Sequence, residues 1–96
     1  MTIGQTIFHQ MGGSRFAMIT GAHNFVDTKN GIRMTLRKNK ANAKWLQITL
    51  NGKDLYDMEF ISLRKDVTKV VAEYNDVYYD MVNDVFESVT GYITKF

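Results

Sequence analysis

The stretch Asp66 to Tyr92, DVTKVVAEYNDVYYDMVNDVFESVTGY, decides how the last third of the chain is read. At roughly 100° per residue, Asp66, Glu73, Asp76, Asp80, Asp84 and Glu87 fall in one stripe roughly 80° wide. Lys69 is the only base within that stripe. Val67, Val70, Val71, Tyr74, Tyr78, Met81, Val85 and Val89 fall on the opposite side. That division predicts one long amphipathic helix with an apolar core face and an acidic face. Asp66 is placed to cap its start and Gly91 to stop it, with Ile93 and Phe96 folding back onto the core.

Working back toward the N-terminus, the preceding residues read as strands. Leu55 to Leu63 carries Tyr56, Met58 and Phe60 on one face, with Asp57 and Glu59 on the other. Trp45 to Leu50 turns Leu46, Ile48 and Leu50 inward and Trp45, Gln47 and Thr49 outward. Keeping both inward sets on one face needs an odd-length connection, which a type I turn with Gly52 in a left-handed position supplies. Ile32 to Lys38 alternates in the same way, with Ile32, Met34 and Leu36 inward. The run Asp27-Thr28-Lys29-Asn30-Gly31 is turn chemistry, and Arg15 to Val26 reads as the first strand, with a bulge at Gly21. Ahead of it, Thr2 and Gln5 have capping-box spacing. Ile3, Ile7, Phe8 and Met11 follow at helical spacing until Gly12-Gly13 stops the helix.

The expected fold is therefore α+β: a four-stranded antiparallel meander with a short N-terminal and a long C-terminal helix, in the order αββββα. The length of 96 residues fits a single domain, residues 1–96. Cysteine is absent, which excludes disulfides, thiolate metal sites and a cysteine nucleophile. No apolar run is long enough to cross a bilayer and no signal-peptide pattern opens the chain, so a soluble cytoplasmic protein is expected, with no membrane partner. Nothing in the composition sets an oligomeric state.

No nucleophile elbow, phosphate-cradling glycine loop or dinucleotide fingerprint is present, so the chain reads as a non-enzyme without a cofactor. His9 and His23 are the only candidates for a metal, and without cysteines they make a thin ligand set. Charge is more informative. Residues 1–65 hold ten Lys/Arg against four Asp/Glu, a net +6, whereas residues 66–96 hold two against six, a net −4. Two contact surfaces follow from that segregation. One is the acidic stripe, with Glu73, Asp76, Asp80, Asp84 and Glu87 facing a basic protein groove and Tyr79 as an apolar anchor. The other is basic and aromatic: Arg33, Arg37, Lys38, Lys40 and Lys44 around an outward Trp45, able to hold phosphates and stack on a base.

The segment Met11 to Ala22, together with Leu50-Asn51-Gly52-Lys53-Asp54-Leu55-Tyr56 and Thr90-Gly91, resembles short proteins carried by bacteriophages and other mobile elements. In size and charged surface the chain also resembles anti-CRISPR proteins. The resemblance implies a binding protein that blocks a host nucleic-acid-handling complex, a CRISPR effector being the sharpest candidate, through the acidic stripe. The alternative is direct single-stranded nucleic-acid binding by the basic face of the sheet.

Overall fold

The computed structural model describes residues 1–94 and has an α+β fold: three α-helices and a five-stranded antiparallel sheet. Helix α1 (Ile3–Met11) and helix α2 (Ser14–Thr20) are followed by strands β1 (His23–Thr28), β2 (Gly31–Thr35), β3 (Trp45–Leu50), β4 (Tyr56–Arg64) and β5 (Val67–Val77). A 3-10 turn (Tyr79–Met81) leads into helix α3 (Val82–Thr90). The strands lie in chain order, β1-β2-β3-β4-β5, each antiparallel to the next. Among the described residues, no helix is long and apolar enough to cross a membrane.

The sheet has five strands rather than the expected four, and the order is ααβββββα rather than αββββα, because two expected elements are overturned. The long helix over Asp66–Tyr92 is a strand followed by a short helix. The β-branched and aromatic residues Val67, Thr68, Val70, Val71, Tyr74 and Val77 favour an extended chain. Strand β5 also shifts register twice against β4, once around Val71 and once around Asn75–Asp76. Each shift adds a residue, so Tyr74 and Val77, opposite Met58 and Tyr56, stand three apart and imitate a helical period. The strand expected over Arg15–Val26 is mostly helix α2, with only its end in β1. Phe16 and Thr20 are both buried, four residues apart, while Met18 between them is 78% exposed, which is helical geometry.

The remaining elements match the residue pattern. Thr2 and Gln5 form the reciprocal capping box of α1. The inward residues Ile32, Met34, Leu46, Ile48, Tyr56, Met58 and Phe60 are buried. They meet Ile7 and Met11 of α1, Phe16 of α2 and Val82, Phe86 and Val89 of α3 in one cluster, so all three helices pack on the same face. The link from β3 to β4 is odd-length, five residues between Leu50 and its partner Tyr56, as face matching requires. Its left-handed residue is Asp54 rather than Gly52. Ile93 does not tuck back, being 70% exposed. Tyr92 does so instead, half-buried against the core. Phe96 lies outside the described residues.

Helices α2 and α3 end in the same way. Each closes on a Phe-x-x-x-Thr-Gly run: Phe16 to Gly21 and Phe86 to Gly91. In each, the buried threonine hydroxyl donates to the phenylalanine carbonyl, at 2.8 Å from Thr20 and 2.7 Å from Thr90. It also accepts from the N–H two residues on, Ala22 and Tyr92, each at 3.2 Å. The glycine between adopts the left-handed conformation that ends a helix. The two phenylalanine rings meet edge to face, centroids 5.0 Å apart at 68°.

Replacing Phe86 with Ala should cost about 3–5 kcal/mol in denaturant unfolding, because both the buried ring and its edge-to-face partner are lost. A second prediction concerns Tyr56, whose hydroxyl donates to Gln10 Oε1 at 2.6 Å. Burial pushes its phenol above the ordinary pKa of 10.0, opposed by Gln10, whose amide can turn to donate to a phenolate. The fold therefore favours the neutral phenol. The stabilisation is complete below pH 10.0 and is lost as pH rises through the folded-state pKa. Tyr56→Phe should lower stability by about 1 kcal/mol at neutral pH and flatten its alkaline fall, measured by thermal melts across that range.

Candidate nucleic-acid interface

The site is built by two segments of the chain. The first is the loop from Lys38 to Lys44, which the side chain of Asn39 holds in shape from within. Its amide donates to the carbonyls of Arg37 and Ala43, each at 2.8 Å. Its carbonyl oxygen accepts from the N–H groups of Ala41 and Ala43 at 3.1 and 3.2 Å. Asn39 is buried, so these four bonds replace water that cannot reach it. The loop is tied down further by Lys40 N–H to the Thr90 carbonyl and by the Tyr92 hydroxyl to the Lys38 carbonyl.

The second segment is the outer half of the β4–β5 hairpin. Lys65 and Asp66 form its two-residue turn between the paired Arg64 and Val67, and both have positive φ. Every residue from Leu63 to Val71 is exposed.

Between loop and hairpin lies an open groove of about 850 Å³. Among the described residues its lining includes Lys38, Lys44, Arg64, Lys65 and Lys69, and no Asp or Glu. The apolar part of the wall comes from Leu36, Ala41, Ala43, Leu63, Val67 and Val71. The backbone N–H of Lys44 donates to the Ile61 carbonyl at 2.8 Å, which fixes the loop against β4. Trp45 lies on the opposite, open face of the sheet, where the Arg33 guanidinium stands 4.6 Å from the ring centroid. The Lys44 ammonium is 5.2 Å from the same ring and so links the groove to the indole.

The residues expected from sequence to act together are partly gathered and partly dispersed. Lys38 and Lys44 line the groove, and Arg33 joins Trp45. Arg37 runs its aliphatic stem across the Cα of Gly21, and Lys40 lies against Gly91 at the C-terminus of α3. Trp45 is half-buried under its two cations, so the outward indole is not bare.

The acidic helix stripe does not form. Glu73 and Asp76 lie on β5, Tyr79 and Asp80 in the 3-10 turn, and Asp84 and Glu87 on α3. Asp76 is bonded to Asn51 and to Lys53, the latter an ion pair of 3.1 Å. Glu87 accepts from the N–H and hydroxyl of Thr94 at 2.8 and 2.7 Å. His9 stands edge-on to Phe8, and His23 Nδ1 lies 2.9 Å from the Gly21 carbonyl oxygen. Among the described residues, no cluster of three or more His, Cys, Asp or Glu side chains could hold a metal ion.

Arg64, Lys65 and Lys69 were missed from sequence. Reading the chain from Asp66 as helix made Arg64-Lys65 a lead-in and Lys69 a lone base among acids. The available signal was the turn between two β-branched runs, with a basic pair at its start. No family model, curated protein or solved structure matches this chain.

Asn39→Ala should remove four hydrogen bonds and orphan buried partners, costing about 2–4 kcal/mol in denaturant unfolding. Amide exchange should speed up at Ala41 and Ala43 before it does in the strands.

Proposed function

We propose that this chain is a non-enzymatic binding protein that takes up single-stranded nucleic acid along the groove between the Lys38–Lys44 loop and the β4–β5 hairpin. The observation that carries this reading is the lining: among the described residues, five basic side chains and no carboxylate around one open groove. Lysine and arginine side chains in that arrangement neutralise successive phosphates and release their counterions. The apolar wall of Leu63, Val67 and Val71 suits bases and sugars turned inward, which a duplex would hide. Trp45, reached through Lys44, offers a ring face at the margin of the path. The groove is open, which suits an extended chain better than an enclosed small ligand.

The reading of a phage-type inhibitor of a host complex rests on an acidic helical face. With those acids spread over a strand, a turn and a helix, the basic groove is the stronger basis for a function. The charge segregation along the chain supports either kind of polyelectrolyte contact. The groove favours a polyanionic ligand over a basic protein.

A fluorescently labelled single-stranded oligonucleotide titrated at two salt concentrations tests the proposal. Binding should weaken steeply with salt, and each of Lys38→Ala, Lys44→Ala, Arg64→Ala and Lys65→Ala should lower the logarithmic salt slope by about 0.7. The double reversal K44E/R64E should abolish binding while leaving the melting temperature close to that of the parent. Absence of binding at low salt, or binding that survives the double reversal, overturns the assignment.

A further inference from the structure

The face of the sheet opposite the helices carries a second set of polar groups that the groove does not use. Arg33, Gln47 and Glu59 lie side by side across β2, β3 and β4, each the direct partner of the next. Trp45 stands two residues before Gln47 on β3, so its side chain is on the same face. All four are half-buried. The three helices pack on the other face, so this one has no helical cover among the described residues.

Stability alone does not account for the row. A fold built for ion pairing would set Arg33 directly beside Glu59, yet the register places Gln47 between them. Arg33 instead stands over the Trp45 ring, 4.6 Å from its centroid. Among the described residues no cation pairs with Glu59, and the salt bridge is Lys53–Asp76. On its other side Glu59 faces Glu73, a like-charge cross-strand pair that costs the free chain stability. The Gln47 amide has no hydrogen-bond partner among the described residues. The row thus presents a donor fork, an amide and an unpaired carboxylate in order, with an aromatic ring beside them.

We infer that this face takes one guanine base, stacked against the Trp45 indole and lying over Gln47. Its O6 and N7 atoms face Arg33, and its N1–H and N2–H groups donate to Glu59. Of the four common bases, only guanine offers two adjacent acceptors on one edge and two adjacent donors on the next. Arginine grips O6 and N7 bidentately. A carboxylate accepts from N1–H and N2–H together, whereas adenine, cytosine and uracil each offer it one donor group. Arg33 and Glu59 are two strand spacings apart, about 10 Å at the backbone, which leaves room for a base between their side-chain ends. The Arg33 guanidinium now over the ring moves from the indole to the edge of the base. Two hydrogen bonds to Glu59 also offset its repulsion with Glu73. Lys44 lines the groove and stands 5.2 Å from the same ring, so it offers a phosphate a route from one face to the other. The inference rests on the proposed single-strand binding for that route, and on the row alone for the choice of base.

Trp45 is the single tryptophan of the chain, so its fluorescence reports this face directly. An oligothymidylate and the same strand with one central guanine are titrated at low salt, alongside free GMP, AMP, CMP and UMP. The guanine strand should bind about tenfold tighter and quench Trp45, and GMP should quench where the other nucleotides do not. Glu59→Gln should bring the guanine strand level with oligothymidylate. Its melting point should be no lower than the parent's, because it removes the charge that repels Glu73, and this separates loss of recognition from loss of fold. Equal affinity with and without the guanine overturns the inference and leaves the groove assignment standing. A guanine preference that survives Glu59→Gln overturns it as well, as does the absence of quenching by guanine in either form. Selective quenching by GMP in a chain that binds no strand upholds the guanine subsite and removes the groove assignment.

Discussion

The Phe16–Phe86 contact is the constraint on which the arrangement of the three helices depends. The two rings come from helices separated in sequence by the whole sheet, and their centroids lie 5.0 Å apart. Each ring is set at a fixed distance from a helix end by the threonine-glycine closure that follows it four residues later. That closure turns the chain sharply: after Gly21 into β1, and after Gly91 back toward the basic loop, where Tyr92 reaches the Lys38 carbonyl. One aromatic contact thus ties the start of the sheet to the loop that forms one wall of the groove.

Coverage of the sheet follows from the size of that helical layer. Three short helices bury the inward faces of β2, β3 and the first half of β4, but they do not extend over the outer part of the β4–β5 hairpin. A small domain has too high a surface-to-volume ratio to cover everything. What stays uncovered has two consequences from one cause. The hairpin and the Asn39-braced loop enclose a basic groove, and among the described residues the outer backbone of β5 remains unpaired. A polar clasp holds the other end of β5. Asn51 accepts from the Lys53 and Leu55 N–H groups and donates to Asp57 and Asp76, fixing the second bulge to the β3–β4 turn.

Most of the meander was legible in the residue pattern, because the strands between Ile32 and Phe60 alternate and their inward residues are buried, Leu50 at the end of β3 only partly. The capping box of α1 was legible for the same local reason. Helix α2 was not, because Phe16-Ala17-Met18-Ile19-Thr20 is apolar enough to read as a strand, and only burial separates Phe16 and Thr20 from Met18. Strand β5 was not legible because an edge strand exposed on both faces has no alternation to display, and its bulges replaced the period of two with steps of three. Of the candidate site, Lys38, Lys44, Arg33 and Trp45 were found from local charge and a single indole. Arg64, Lys65 and Lys69 were hidden by the mistaken helix, and the acidic stripe existed only on that helix.

The amino-acid sequence by itself determined the α+β class, the inward faces of the central strands, the first helix and the segregation of charge, since each depends on residues close together in the chain. Tertiary structure alone decided that the last third is a strand followed by a helix, because local periodicity cannot tell a bulged edge strand from an amphipathic helix. It also decided the site: Lys38 and Lys44 join Arg64, Lys65 and Lys69 only when a loop and a hairpin some twenty residues apart are brought to the same end of the sheet. Electrostatic fields add in space and not along the chain, so the groove belongs to the fold.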